Sequence, residues 1–165
     1  MTTTRNFAAL FVCTHNSARS IMAEGLLNML GGGRFQAFSA GSMPKGEVHP
    51  LALKTLADAR IPIRNPRSKS WEEFAQPGAP LLDFVFTVCD RAAGEVCPLW
   101  PGQPMTAHWG VEDPAAMQGT PAQIERKFLD VFFVLKRRIE LLLSLPIESL
   151  DEVSLQHRVR EIGKT

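Results

Sequence analysis

The chain has 165 residues, of which 45% are hydrophobic and 21% are charged, and its formal net charge is +1. This length and composition are typical of one globular domain with a sizeable core. A net charge so close to zero argues against a broad nucleic-acid footprint, and no apolar stretch reaches the ~18 residues of a membrane span. Because the N-terminus carries no signal-peptide pattern, we expect a cytoplasmic protein.

Strand-like and helix-like segments alternate along the chain. Apolar runs rich in aromatic and β-branched residues predict four strands, at 7–12, 35–41, 83–89 and 104–109. Other runs predict helices at 20–30, 49–59 and 120–144, a short helical piece at 70–75 and a last helix N-capped by Ser149. We therefore predict an α/β protein, a three-layer sandwich in which helices cover both faces of a four-stranded parallel sheet.

Pro146 ends the long helix and divides the chain into two unequal parts. We expect residues 1–145 to form the main body of one domain and residues 146–165 to be a C-terminal helical extension of the same domain. The basic cluster Lys136–Arg138 lies on the long helix, and we interpret it as a solvated helix face rather than a binding patch.

The segment Cys13–Ser20 joins the first predicted strand to the first predicted helix. Backbone N–H groups and a helix N-terminus then converge on one spot, which favours an oxyanion. Arg19 offers two oxygens a planar fork of donors, and together with the helix N-terminus it would lower the pKa of Cys13 until the residue is a thiolate at neutral pH. Ser20 can donate to the sulfur, and Asn16 tolerates left-handed backbone angles. The alternative is a buried structural cysteine beside a surface arginine.

Cys89 and Cys97 flank a loop after the third predicted strand. They could pair if the loop folds over, although two unrelated buried cysteines are the alternative. Three cysteines cannot form a fully paired disulfide framework. The chain contains no Cys-x2-Cys pair, and its histidines are not at zinc-finger spacing, so we expect no metal site.

Asp113 precedes Pro114 in the loop after the fourth predicted strand. It is a candidate general acid, with Glu112 as a possible substitute, while a simple turn-forming Asp-Pro pair is the alternative. Cys13, Cys89 and this loop all follow strand ends. In a parallel sheet they therefore converge on one edge, where such folds bind ligands.

Four stretches of the sequence together resemble the arsenate reductases built on the low-molecular-weight protein tyrosine phosphatase fold. They are Phe11–Gly25, Phe38–Gly41, Phe86–Cys89 with the later Cys97-Pro98, and His108–Gly110 followed by Asp113–Ala115. The resemblance implies that the oxyanion is bound by Thr14, His15, Asn16, Ser17, Ala18, Arg19 and Ser20, with Asp113 as the acid. It also implies a thiol relay in which Cys13 attacks arsenate, Cys89 attacks Cys13, and Cys97 takes over the disulfide.

An external thiol reductant, with no tightly bound cofactor, would then restore the thiols. Thioredoxin is the partner that the resemblance implies first. The interval between Cys89 and Cys97 is one residue longer than in thioredoxin-coupled members, so glutathione with glutaredoxin is a second option. We expect a monomer or weak dimer.

Two loop positions depart from the family pattern, with His15 where glycine is frequent and Ala18 where the phosphatases often have a second cysteine. Some relatives hold a cation beneath the loop. Asn16, Glu24 and Ser39 match three of its ligands, and Lys69 falls at the fourth. We predict that the Lys69 ammonium replaces the cation, since like charge opposes metal binding.

Two other functions remain as alternatives. The first is a low-molecular-weight tyrosine phosphatase, but Ala115–Met117 offers no aromatic residue after the Asp-Pro pair and the chain has no tyrosine. The second is a non-enzymatic module that binds oxyanions or senses redox state.

Overall fold

The computed structural model describes residues 6–89 and 100–165. Within them, four strands are formed: β1 (Phe7–Cys13), β2 (Phe35–Gly41), β3 (Phe84–Thr87) and β4 (Met105–His108). The α-helices of the described part are α1 (Arg19–Leu30), α2 (Pro50–Asp58), α3 (Pro121–Leu143) and α4 (Glu152–Ile162). Short 3-10 turns lie at Trp71–Ala75, Pro114–Ala116 and Ile147–Ser149. The predicted order of elements is therefore found.

The strands form one parallel sheet in the order β2-β1-β3-β4. Cys13 at the end of β1 pairs with Gly41 at the end of β2, and Val12 pairs with Thr87 at the end of β3. The carboxyl ends of the strands thus meet at one edge of the sheet. The predicted α/β fold, a three-layer sandwich with a four-stranded parallel sheet, is confirmed.

The local sequence explains where the helices begin. α2 starts at Pro50, and the Nδ1 atom of His49 accepts a hydrogen bond from the Leu51 N–H. α3 begins with a capping box, in which the Thr120 hydroxyl accepts from Gln123 N–H and the Gln123 side chain accepts from Thr120 N–H. Its apolar stripe is buried at Phe128, Val131, Phe132, Leu135, Ile139 and Leu142.

Aromatic side chains fill the core beside the central strands. The Phe86 ring stacks on Trp109 with 3.9 Å between ring centroids, and Phe11 stacks on Phe86 at 5.4 Å. All three side chains are fully buried. Trp109 Nε1 donates to the Val159 carbonyl at 2.9 Å, so α4 packs directly against the end of β4.

The predicted N-cap of the last helix is wrong. Asp151, not Ser149, caps α4, and its Oδ1 accepts from the Ser154 N–H at 2.8 Å. Ser149 ends the preceding 3-10 turn instead, where its hydroxyl donates to the Pro146 carbonyl at 3.0 Å. The Ser149–Glu152 spacing of a capping box was present, but the local turn had already engaged the serine.

The basic cluster on α3 is also not uniformly solvated as predicted. Arg137 is exposed and Lys136 is half-buried, but Arg138 is only 6% exposed. The guanidinium of Arg138 lies on the inner side of the helix and donates to backbone carbonyls. No helix within the described residues is long and apolar enough to cross a membrane.

There is no room for a side chain at Gly41, because an added Cβ would lie 2.5 Å from the Thr14 carbonyl oxygen and 2.9 Å from the Asn16 backbone nitrogen. Both atoms are backbone, so Gly41→Ala forces the loop after β1 to move. We expect the free energy of unfolding to fall by about 1–3 kcal/mol and the rate of Cys13 alkylation to change. Urea denaturation and peptide mass spectrometry measure the two effects.

Gly78→Ala is the matched control. Gly78 has φ 86° and no neighbour within 4 Å of an added Cβ, so its substitution strains only its own backbone. It should cost about 1–2 kcal/mol and leave Cys13 alkylation as it is. Unchanged alkylation in Gly41→Ala would contradict the prediction.

Candidate active site

The loop Cys13–Ser20 is held from outside by the segment that follows β2. The backbone N–H groups of residues 42, 43, 45 and 49 donate to the carbonyls of Cys13, Thr14, His15 and Ser17, at 2.8–3.2 Å. The Ser68 hydroxyl also donates to the His15 carbonyl, at 2.8 Å. These bonds fix the loop carbonyls toward the outer segment. Within the described part of the chain, the N–H groups of residues 14–18 donate no hydrogen bond. The loop therefore keeps a set of donors for an anion.

Asn16 braces the loop from within. It is fully buried and has φ 48°, the left-handed conformation that asparagine tolerates. Its Nδ2 donates to the Ser20 hydroxyl at 2.8 Å, and its Oδ1 accepts from the Lys69 N–H at 2.9 Å. One side chain thus ties the loop to α1 and to the segment before the 3-10 turn at Trp71–Ala75.

Cys13 and Cys89 lie together at the edge of the sheet. Cys13 is 1% exposed and Cys89 is 3% exposed. The Cys13 Sγ is 3.3 Å from the Ser20 hydroxyl. The Thr14 hydroxyl is 3.3 Å from the Cys89 Sγ. The sulfur that the loop surrounds therefore has a second sulfur next to it.

The pKa of the Cys13 thiol is raised well above its ordinary value. The hydrogen bond with Cys89 is the largest cause and burial is the second, while the Ser20 hydroxyl and the Arg19 charge oppose them. This direction is opposite to the lowered pKa of Cys13 that the sequence predicted. The sequence argument counted the arginine and the helix N-terminus, but it could count neither the burial nor the proton shared with a second thiol.

Arg19 connects the loop to the segment after β4. Its Nη1 donates to the Val111 carbonyl at 3.2 Å, and its Nη2 lies 3.7 Å from Asp113 Oδ2. Asp113 also accepts from the Ala115 N–H at 3.0 Å, so it is a turn-capping residue and a neighbour of the loop at once. Glu112 instead forms an ion pair with Lys127 of α3. Of the two candidate acids, Asp113 is thus the one paired with Arg19.

A buried polar cluster lies beneath the loop. The Lys69 ammonium is 3.0 Å from the Arg67 carbonyl, 3.4 Å from Ser39 Oγ, 3.5 Å from Asn16 Oδ1 and 3.8 Å from Glu24 Oε1. Ser39 donates to Glu24 Oε1 at 2.8 Å. Burial raises the pKa of Glu24, and the Lys69 charge is the largest influence opposing it; burial likewise lowers the pKa of Lys69. The four residues that the sequence singled out therefore form one cluster, in which Lys69 lies next to each of the other three.

The remaining site residues divide into those near the centre and those at the margin. Thr14, Ala18 and Ser20 are buried, Ser17 and Arg19 are half-buried, and His15 is exposed. Cys97 lies outside the described residues. Among the residues that the structure describes, no group of three or more His, Cys, Asp or Glu could hold a metal ion.

Sequence reasoning missed the residues that support the site from a distance. Gly41 and the segment 42–49 hold the loop carbonyls, and Lys127 and Arg138 on α3 bind the segment after β4. A glycine at the end of β2 was the one signal in the sequence for the first group. The spacing on α3 did place Arg138 on the apolar stripe, three residues after Leu135 and four before Leu142, but the run of basic residues was interpreted as one solvated face.

Comparisons with known proteins agree with this geometry. Residues 8–156 match the family model described as low molecular weight phosphotyrosine protein phosphatase. An arsenate reductase of Oceanobacillus iheyensis is 39% identical over 110 residues, which is 67% of this chain and 76% of the relative. The structure of an arsenate reductase in the phosphate binding state has a TM-score of 0.68 and 30% identity, covering 84% of this chain and 97% of that one.

A thioredoxin-dependent arsenate reductase of Corynebacterium glutamicum has a TM-score of 0.55 and 26% identity, covering 85% of this chain and 65% of that chain. The family model spans most of the chain, and the resemblance inferred from the sequence is confirmed. The chain belongs to the low molecular weight phosphotyrosine protein phosphatase family and, within it, groups with the arsenate reductases.

Proposed function

We propose that this protein is an arsenate reductase, which converts arsenate to arsenite with its own cysteine thiols as the electron source. The observation that carries the proposal is a second buried thiol at the loop that would bind the oxyanion: Cys89 lies 3.3 Å from the Thr14 hydroxyl and raises the pKa of Cys13 more than any other group. Reduction of arsenate takes two electrons, and two thiols that become a disulfide supply two. Hydrolysis of a phosphate ester would need one thiol only.

The N–H groups of residues 14–18 and the Arg19 guanidinium would bind the oxyanion. A tetrahedral dianion accepts several such donors at once, and Arg19 offers two of them in one plane. Oxyanion binding would then depend on backbone N–H dipoles and on the single charge of Arg19. Such a site needs no excess of positive charge on the rest of the chain, whose net charge is +1.

In the first step, the Cys13 sulfur attacks arsenic(V). The overall change is HAsO₄²⁻ plus thiol giving a thiol–arsenate ester plus water, so the thiol proton and the proton of the arsenate leave with one oxygen. The thiol proton would pass to the bound oxyanion, and Asp113, next to Arg19, would relay it to the oxygen that departs as water.

In the second step, Cys89 attacks the Cys13 sulfur. The sulfur–arsenic bond breaks and its electron pair stays on arsenic, which gives arsenite and a disulfide between Cys13 and Cys89. The resemblance to the family adds a third step, in which Cys97 attacks Cys89 and frees Cys13. A thiol reductant then opens the last disulfide. Similarity to a thioredoxin-dependent reductase favours thioredoxin over glutathione and glutaredoxin.

Phosphatase activity is the competing assignment, because the family shares the anion loop. Cys13, Arg19 and Asp113 would suffice for it. The 3-10 turn Pro114–Ala116 after the acid carries small side chains, and Ala115 and Ala116 are exposed. A phosphotyrosine ring would find no aromatic side chain there to stack on.

We also propose that the Lys69 ammonium takes the place of a cation beneath the loop. It contacts oxygen atoms of Asn16, Ser39 and Arg67 and lies near Glu24, an oxygen set of the kind that binds a small cation. Activity should therefore not depend on potassium.

The coupled assay for arsenate-dependent NADPH oxidation tests the main proposal. Wild type should turn over with thioredoxin and its reductase, and Cys13→Ser and Cys89→Ser should lose at least about 10³-fold in kcat, since each removes a bond-forming sulfur. Cys97→Ser should lose turnover but still release one arsenite per chain. A wild type that is inert with thioredoxin and with glutaredoxin, yet hydrolyses a phosphate ester, would make the protein a phosphatase.

The shared proton gives a prediction about pH. Cys89→Ala removes the largest influence that raises the pKa of Cys13, so the midpoint for thiolate alkylation of Cys13 should move to lower pH. Ser20→Ala is the control of opposite sign, because it removes a hydrogen bond that lowers the pKa, and its midpoint should move to higher pH. Iodoacetamide labelling followed by mass spectrometry of the Cys13 peptide measures both. Shifts of the same sign would contradict the interpretation.

The Lys69 cluster gives a prediction about stability. Lys69→Met leaves the Glu24 carboxylate buried without its cation, so the pKa of Glu24 rises further and ionised Glu24 destabilises the folded state. The loss of stability should be larger at neutral pH than at acidic pH, where Glu24 is protonated in the folded protein. Urea denaturation at both pH values, with Lys54→Met as an exposed control, measures it. An equal loss at both pH values would contradict the assignment.

A further inference from the structure

The segment Trp109–Asp113, here called the acid segment, is bound on both sides along its length. The Trp109 N–H donates to the Thr87 carbonyl at 2.7 Å, and the Val111 N–H donates to the Val88 carbonyl at 3.1 Å. The Val111 carbonyl and the Asp113 carboxylate both face Arg19. Any shift at the start of the segment therefore reaches the acid and the anion-binding arginine together.

Arg138 of α3 binds the start of the acid segment. Its Nη1 donates to the Trp109 carbonyl at 2.8 Å and to the Gly110 carbonyl at 3.0 Å, and its Nη2 donates to the Thr165 carbonyl at 3.1 Å. The residue is 6% exposed, and these hydrogen bonds all go to main-chain oxygen atoms. A buried cation that donates to main-chain oxygens of three residues gives up solvation, and in return it fixes the positions of the Trp109 and Gly110 carbonyls.

α4 holds the same region from the other side. The Trp109 indole donates to the Val159 carbonyl at 2.9 Å. At Gly163, just after α4, an added Cβ would lie 2.2 Å from the His108 carbonyl oxygen. The end of β4 is thus enclosed between Arg138 and the C-terminal segment, and the acid segment leaves from this enclosed point.

We propose that Arg138 is a positioning residue for the reaction, which acts by fixing the Trp109 and Gly110 carbonyls so that Asp113 meets Arg19 over the bound oxyanion. This inference rests on the proposed arsenate reductase activity. It assigns a role to the C-terminal helix as well, since α4 and Arg138 together hold the start of the acid segment.

Arg138→Met keeps an unbranched, apolar stem but removes the charge and the donors of the guanidinium. We expect kcat for arsenate to fall by about 10- to 100-fold, since a small displacement of a catalytic group costs that much. Arg137→Met is the matched control, because Arg137 is the exposed neighbour on the same helix. It should stay within about twofold of wild type, by the usual small effect of surface substitutions. Arg138→Lys should restore part of the loss.

A double-mutant cycle with Asp113→Asn separates positioning from a general loss of stability. If Arg138 acts through Asp113, Arg138→Met should cost no more than about threefold in kcat once the carboxylate is gone. The same fold loss in both backgrounds would overturn the inference. Should Arg138→Met fail to fold, Arg138→Lys takes its place in the cycle, because it keeps the buried positive charge but loses the planar fork of donors that binds several main-chain oxygens.

Phosphate binding provides a readout that does not depend on arsenate reduction. Phosphate should protect Cys13 from alkylation, and Arg138→Met should need at least about fivefold more phosphate for half protection than Arg137→Met, because Arg19 loses its partner at Val111. Equal protection would overturn the inference. If wild type reduces no arsenate but the two variants still differ in this way, the proposed function fails and the positioning role stands.

Discussion

The anion loop depends on where its carbonyl oxygens go. The parallel pairing of Cys13 with Gly41 brings the segment 42–49 alongside the loop, and the N–H groups of that segment bind the loop carbonyls. Because the loop carbonyls accept hydrogen bonds from this outer segment, the loop N–H groups are left as donors on the inner side. Because Gly41 has no side chain, the two backbones can approach this closely. The chemistry of the site thus begins with strand register, before any catalytic side chain is considered.

The sequence predicted most of the fold, because its signals were local and mutually consistent. Alternating strand and helix patterns, Pro50 and the Thr120 cap all agreed with one parallel sheet, which the structure confirms. The errors came where tertiary contacts override local spacing. Ser149 had the spacing of a capping box but was used by the turn before it. Arg138 has the spacing of the apolar stripe but stands in a run of basic residues, and main-chain oxygens of Trp109, Gly110 and Thr165 make its burial favourable.

The candidate site was predictable to the extent that its residues follow strand ends. Cys13, Cys89 and Asp113 come from three separate strand ends and meet at one edge of the sheet, as parallel topology requires. The pKa of Cys13 was harder to predict from the sequence, because a pKa depends on burial and on neighbours that are distant in the chain. The arginine beside Cys13 was visible in the sequence, whereas the opposing influence of a thiol 76 positions later was not.

The burial and raised pKa of Cys13 affect how readily this cysteine is oxidised. Oxidation of a cysteine to sulfenic and then sulfinic acid starts from the thiolate and requires access to the sulfur. Cys13 is 1% exposed, and burial and the Cys89 thiol both raise its pKa, so both conditions for this oxidation are unfavourable at Cys13. The burial that surrounds the two thiols therefore also slows the oxidation of Cys13 by a general oxidant.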